Sequence, residues 1–490
     1  MRHVLAIDQG TTGSTCLVIR EDGQVVGRGY REITQYYPQP GWVEHDADEI
    51  FTLTRDAARD AIAQSGVVPN TIGITNQRET VVLWDRSTGQ PVGRAVVWQD
   101  RRTAPRCAEL ASSAADIAQR TGLVLDPYFS ATKIEWMLRD PAVAIRAARG
   151  DLVLGTIDSW LIWRLTGGAV HATDPTNASR TMLYDIDGGQ WSNHLCDLFG
   201  VPTSMLPGVR RSSGDFGVST KEHFGTAIPI TGVAGDQQAA LYGQGCWLPG
   251  EGKNTYGTGA FLLFNAGTTR PSGGGGLLTT IACDALGNPV FALEAAVFIA
   301  GAAVQWLRDG LQILEQAADS EALARSVEST DGVYFVPALV GLGAPHWAPD
   351  ARGTIVGLTR GTGRAHLVRA ALEAMAYSTA DVVATVRDQG VVLDRLRVDG
   401  GATANNWLMQ FQSDVLGVSV ERPDMIETTA LGAAGLAGIA GGVWTSPNEF
   451  LASRSFVRFA PTRSPANVAA DYAGWLRAVR ATLAWAADTP

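Results

Sequence analysis

Cysteine is scarce and unpatterned: Cys16, Cys107, Cys196, Cys246 and Cys283 stand far apart in 490 residues, with no CxxC pair among them. An odd, dispersed set gives neither a disulfide framework nor a zinc site, and it fits a reducing, cytoplasmic setting. Positive charge is also short. Lys and Arg total 39 against 49 Asp and Glu, a net charge of -10, so no broad basic face is expected for a nucleic-acid backbone or an anionic membrane surface. No apolar run is long enough to span a bilayer, and no charged-then-apolar leader precedes the first strand, so no membrane anchor is expected. The common signatures GxxxxGK(S/T), GxGxxG and HExxH are missing. Phosphate chemistry, where present, must use another architecture.

A hydrophobic content of 46% with 18% charged residues describes an ordinary globule, and the length exceeds one core, which predicts two α/β domains. The organising stretch is Val4-Leu5-Ala6-Ile7-Asp8-Gln9-Gly10-Thr11-Thr12, a short buried strand that ends in an acid, a glycine and two hydroxyls. Gly10 permits a tight turn, the threonines offer donors to an anion, and Asp8 supplies the hard oxygen that Mg²⁺ prefers. Taken alone, the same pattern is equally an ordinary strand-to-turn junction.

Further on, Glu21-Asp22-Gly23 reads as a hairpin turn, and Asp46 with Glu49 as a capping box for a helix through Phe51, Ala57 and Ala61. A strand over residues 71–75 runs into Asn76-Gln77-Arg78-Glu79, where open sheets collect ligands, although a rim salt bridge is the plain alternative. Val96-Val97-Trp98 is another short strand, and Trp98 alone is more easily a core residue than a substrate wall. Tyr128 and Phe129 occupy a turn with Lys133 and Trp136 on the helix behind. Val233-Ala234-Gly235-Asp236-Gln237 repeats the opening hook, and Tyr256-Gly257-Thr258-Gly259 before Phe261 starts the plan again. Leu396 to Ala402 is a third strand-to-glycine turn, followed by an amphipathic helix through Trp407 and Phe411 and a small-residue helix from about Thr429. The predicted domains are therefore 1–244 and 245–490.

Three glycine turns, around Gly10, Gly257 and Gly400, resemble the actin-like (ribonuclease H-like) ATPase fold, in which two related α/β domains flank a central cleft. The segments DQGTT, GITNQRET, VVWQDRRTA, GLVLDPYFSATKIEW, TNASRTML, GDQQAALYGQ, KNTYGTG, GAPHWAPDARGTIVGLTRG and VDGGATANN narrow the match. In this order, and over nearly the whole chain, they resemble the glycerol kinase branch of the FGGY carbohydrate kinase family.

The resemblance implies transfer of a phosphoryl group from Mg²⁺-ATP to glycerol, with Asp236 as general base and Asp8 beside the metal. It implies that Arg78, Glu79, Tyr128, Asp236 and Gln237 bind the hydroxyls, with Trp98 and Phe261 against the carbons. Thr11, Thr12, Gly13 and Thr258 match phosphate-binding positions, and Gly301, Gln305, Gly401 and Asn405 match nucleotide-binding ones. It also implies a homodimer or homotetramer. Thr15 stands where many relatives carry arginine. Residues 225–228 lack the arginine through which some relatives bind fructose 1,6-bisphosphate, so that inhibition is expected to be weak or absent. His223, one position from a loop histidine phosphorylated in other relatives, reads as a solvated loop residue. The rivals are an FGGY kinase for another polyol or a ketose such as xylulose, and a non-catalytic actin-like ATPase.

Overall fold

The opening apolar run forms the middle of a five-stranded sheet in a computed structural model that describes residues 1–425 and 427–487. The strand order is Ile230–Gly235, Thr71–Asn76, His3–Gln9, Gly13–Arg20 and Val25–Glu32. The first three run parallel, and the last two fold back antiparallel, through the turn at Gly10 and the predicted hairpin at Gly23. Parallel strands need covered faces, and alternate residues of this sheet serve two cores. Leu5, Ile7, Cys16 and Val18 face the helix Ala47–Ser65, while Val4, Ala6, Leu17 and Ile19 pack with Ala430, Ala434 and Ala437 of the helix Thr428–Ala440. Burial on both faces explains an uninterrupted apolar run in place of an alternating one.

A seven-stranded sheet repeats the plan. Glu251–Tyr256 pairs antiparallel with Ala260–Gly267, which pairs antiparallel with Pro289–Val297. On its other side Glu251–Tyr256 runs parallel to Arg395–Asp399, and that strand runs parallel to Ser419–Pro423. Leu278–Cys283 and Phe456–Phe459 close the edges.

The halves are joined by helix packing. Thr428–Ala440 belongs to the second half in sequence, yet it lies on the first sheet and against the helix Asp236–Gly243. Its small residues allow this approach, because a side chain at Gly432 would run into the Ala239 carbonyl and one at Gly73 into the Ala433 carbonyl. Among the described residues no helix is long and apolar enough to cross a membrane.

Local expectations fail in three places. Asp46 caps Ala47–Ser65 by accepting from the Asp48 and Glu49 amides, but the Glu49 carboxylate turns to Thr34, at 3.1 Å from its amide and 2.7 Å from its hydroxyl, so the capping box is half made. The short strand stops at Ala95–Val96 and leaves Trp98 beyond it, half-buried against the first glycine turn. His223 is no solvated loop residue: it lies in the helix Lys221–Phe224, its ring meets Phe51 edge-on at 5.3 Å, and its Nε2 is 3.0 Å from the Arg164 carbonyl.

Candidate active site

The first glycine turn is fixed from two sides. Gly10 N–H donates to the Gly13 carbonyl at 2.8 Å, and any side chain at Gly13 would collide with the Arg31 carbonyl. Trp98 Nε1 donates to the Thr11 hydroxyl at 2.9 Å, and Gln35 Nε2 donates to the Thr11 carbonyl at 2.8 Å. Thr12 is exposed at the tip. Asp8 lies at the end of the strand leading into this turn, in register with Thr75 and with Thr15. Burial, reinforced by the nearby Asp236 carboxylate, pushes its pKa up to about 7.

Arg78 and Glu79 do not make a solvated pair at the rim: Arg78 Nε lies 3.9 Å from Glu79 Oε1, but both are buried and their shorter contacts are elsewhere. Their side chains are only 3% and 1% exposed, and each is held by a different partner. Arg78 donates through Nη1 and Nη2 to the two oxygens of Glu294 at 2.6 and 3.0 Å, while its Nε lies 3.2 Å from Asp236 Oδ1. Glu79 accepts from Arg180 Nε at 2.6 Å, and Arg180 Nη2 reaches Glu294 at 3.1 Å. Glu79 also holds φ of 62°, a left-handed conformation that a non-glycine residue keeps only where its surroundings impose it. Asn76 and Gln77 serve the frame: Asn76 exchanges side-chain hydrogen bonds with Asn177 at 3.0 and 3.1 Å, and Gln77 donates to Gln9 at 3.1 Å.

Asp236 opens the helix Asp236–Gly243 directly after its strand, and its side chain is 31% exposed to the cleft. Burial raises its carboxyl pKa above the usual range, and Arg78 pulls against that rise. The Glu294 carboxylate is also penalised by burial, but Arg180 and Arg78 outweigh this and hold it down to about 2. Lys253, fully buried, donates to Gln237 and, at 2.8 Å, to the Thr255 hydroxyl. Three cations, Arg78, Arg180 and Lys253, thus face three carboxylates, Glu79, Glu294 and Asp236. Such a site suits an uncharged, hydroxyl-rich ligand.

Aromatic rings bound the cluster. Trp98 and Tyr128 meet edge-on at 5.4 Å. Lys133, buried behind them, donates to the Pro127 and Tyr128 carbonyls at 2.5 and 2.7 Å and so fixes the loop that carries Tyr128. Phe261 pairs with Ala296 and Leu263 with Glu294, which puts Phe261 on the face of the second sheet that carries Glu294, Lys253 and Thr255.

A separate cleft of about 570 Å³ opens on the second lobe, lined by Gly257, Thr258, Gly301, Gln305, Gly401 and Asn405 among others. The helix Gly301–Asp309 is anchored to the second glycine turn, with Gly301 and Ala302 amides donating to the Gly257 and Thr258 carbonyls at 3.0 and 3.1 Å. Asn405 caps Asn406–Leu416 by accepting from the Leu408 amide at 2.9 Å. A side chain at Gly401 would meet no protein atom and would project into open space. The structure therefore gathers the residues singled out from sequence into two groups, one around Arg78, Asp236 and the first glycine turn and one lining the cleft of the second lobe.

Residues 3–243 match the FGGY family of carbohydrate kinases, N-terminal domain, and residues 252–441 match its C-terminal domain. A glycerol kinase of Symbiobacterium thermophilum is 55% identical over 99% of both chains. The crystal structure of Plasmodium falciparum glycerol kinase with ADP superimposes with a TM-score of 0.94 at 38% identity, covering 99% of this chain and 98% of that one. A xylulose kinase of Rhodospirillum rubrum has the same fold, with a TM-score of 0.88, 26% identity and coverage of 99% and 98%.

The chain belongs to the FGGY family of carbohydrate kinases. Its two lobes are the related actin-like halves of that fold. In this FGGY chain the sequence reading overlooked Glu294 and passed over Arg180 and Lys253, although the last two lie inside quoted motifs. Glu294 carried one signal, a lone acid amid the apolar strand residues Phe291 to Val297. Arg308 and Glu321, which also line the nucleotide-sized cleft, carried none.

Proposed function

We propose that this FGGY kinase transfers the terminal phosphoryl group of ATP to a primary hydroxyl of glycerol, giving sn-glycerol 3-phosphate and ADP. The observation that carries the reading is the buried cluster in which Arg78, Arg180 and Lys253 balance Glu79, Glu294 and Asp236, in a chain 55% identical to a glycerol kinase. A triol has little apolar surface, so its recognition depends on buried donors and acceptors that are left unpaired when a hydroxyl is missing. Arg78, Glu79, Tyr128, Asp236 and Gln237 supply both kinds, with Trp98 and Phe261 against the carbon chain.

The attacking oxygen forms its bond to the γ-phosphorus as the bond to the β,γ-bridging oxygen breaks, and ADP leaves with that electron pair. In a loose transition state the alcohol keeps its proton until late, so Asp236 needs only to orient the hydroxyl and accept the proton at its carboxylate. Thr11 and Thr12 with Gly13 on one side and Thr258 on the other would hold the phosphates, and Gly301, Gln305, Gly401 and Asn405 the rest of the nucleotide.

Asp8 has the chemistry of a Mg²⁺ neighbour. Its carboxylate engages no cation among the described residues, and Thr75, in register beside it, has a buried hydroxyl without a partner. No cluster of three or more potential metal-binding His, Cys, Asp or Glu occurs among the described residues, which suits an ion that keeps waters and rides on substrate phosphates. A Mg²⁺ ion held beside Asp8 would supply positive charge against the negative charge that develops during transfer. We divide the lobes at 244/245, and propose a cytoplasmic enzyme assembled as a homodimer or homotetramer.

Coupled measurement of ADP release with glycerol, xylulose, gluconate or no acceptor tests the reading. Glycerol should be preferred in kcat/KM by roughly 10³-fold or more, as expected where a site hydrogen-bonds specific hydroxyls. A preference for either sugar would assign the chain to a sister activity. ATP hydrolysis without acceptor that exceeds the glycerol-dependent rate would make it an actin-like ATPase that uses no alcohol acceptor.

A further inference from the structure

Glu294 belongs to the second sheet, yet its carboxylate serves the first lobe. Its strand neighbours Leu293 and Ala295 are fully or almost fully buried and apolar, and its own side chain is 6% exposed. An ionised carboxylate in such a strand carries a desolvation cost of several kcal/mol unless its partners compensate. Both partners are arginines from the opposite lobe, Arg78 and Arg180, 216 and 114 residues away.

The direction of this pairing has a chemical consequence. Arg78 presents both Nη atoms to Glu294, with Nη1 also donating to Gln238 Oε1 at 3.2 Å, and its Nε lies towards Asp236. A guanidinium released from Glu294 would take the Asp236 carboxylate side-on through two N–H groups, the strong arrangement for this pair. That capture would occupy the carboxylate oxygens that the substrate hydroxyl needs.

We propose that Glu294 is a positioning residue for the substrate alcohol that acts through Arg78, holding both Nη atoms from the opposite lobe so that Asp236 stays open. The inference rests on the reading of Arg78 and Asp236 as the alcohol site. Arg180 completes the device by spanning Glu294 and Glu79, so one strand of the nucleotide-side sheet sets two hydroxyl-binding groups at once.

The test is a double-mutant cycle on the full chain with Glu294→Gln, Arg78→Ala and the double variant. Glycerol affinity is read by titration calorimetry, kcat and both KM values by coupled assay, and folding by thermal melt. Glu294→Gln should lower kcat/KM for glycerol by about 10²-fold, as for loss of one member of a buried charge pair, and leave KM for ATP within about twofold. In the Arg78→Ala background its effect on glycerol affinity should shrink to a small part of that in the unaltered chain, the remainder being carried through Arg180 to Glu79, and Glu294→Asp should recover part of the loss. Additive effects in the cycle, or equal losses for glycerol and ATP, would make Glu294 a structural strut and overturn the proposal. Should Glu294→Gln melt cold, the same cycle with Glu294→Asp gives the coupling. Absence of glycerol turnover in the unaltered enzyme would instead defeat the functional reading itself.

Discussion

In the first lobe the strands His3–Gln9, Thr71–Asn76 and Ile230–Gly235 lead into Asp8, the pair Arg78 and Glu79, and Asp236. In the second, the matching strands Glu251–Tyr256 and Arg395–Asp399 lead into Gly257-Thr258 and Gly400-Gly401. The scaffold is the same hairpin with parallel strands beside it, and the strand ends decide what each copy can do. Charged ends are held together by ion pairs. Small ends leave a wide cleft with backbone exposed. The duplicated plan supplies position, and the chemistry comes from a few residues at the ends of strands.

Asp236→Asn should erase the contrast most sharply. The amide keeps the shape and loses the basicity, so kcat should fall by roughly 10²–10⁴-fold while glycerol binding persists. Retention of most of kcat, with binding intact by calorimetry, would show that another group accepts the proton.

Gly401→Val probes the second lobe by itself. A Cβ at this position meets no protein atom within 4 Å, so the fold should survive while the cleft narrows. KM for ATP should rise by about 10- to 100-fold, the effect of 1–3 kcal/mol of overlap, with glycerol affinity unchanged. Equal loss of both affinities would mean that the lobes do not divide the substrates.

The smallest effect concerns the frame beneath the first turn. Burial holds the imidazole of His45 down to about 4, and the ring hydrogen-bonds Gln35, which in turn holds Thr11. A free histidine titrates near ~6.5, so below that pH the unfolded chain binds more protons than the folded one. The folded-state stability associated with neutral His45 is therefore present above pH ~6.5 and is lost on acidification towards about 4, by up to about 3 kcal/mol. Denaturant unfolding at pH 7 and pH 5 should show a smaller loss for His45→Gln than for the unaltered chain. Identical losses would assign the acid sensitivity elsewhere.

Much of the fold was legible from sequence because its signals are local. The hook at Gly10, the turn at Gly23 and the strand before Asp236 each lie within a few residues of their cause, and the structure has them where the pattern implies. The failures were local competitions won by distant partners. Glu49 turned from its own helix cap to Thr34, and His223 was drawn out of solvent onto Phe51.

By itself the sequence determined the repeated strand-to-glycine turns, the family and the identity of the polar residues at the strand ends. Only the tertiary structure decided which charges meet: Arg78 and Glu79 are adjacent in the chain, yet Arg78 pairs with Glu294 and Glu79 with Arg180. The reason is physical. Backbone turns follow from the conformational freedom of neighbouring residues, whereas a buried ion pair exists only after helices such as Thr428–Ala440 have brought two sheets together and removed the water that would otherwise solvate each charge.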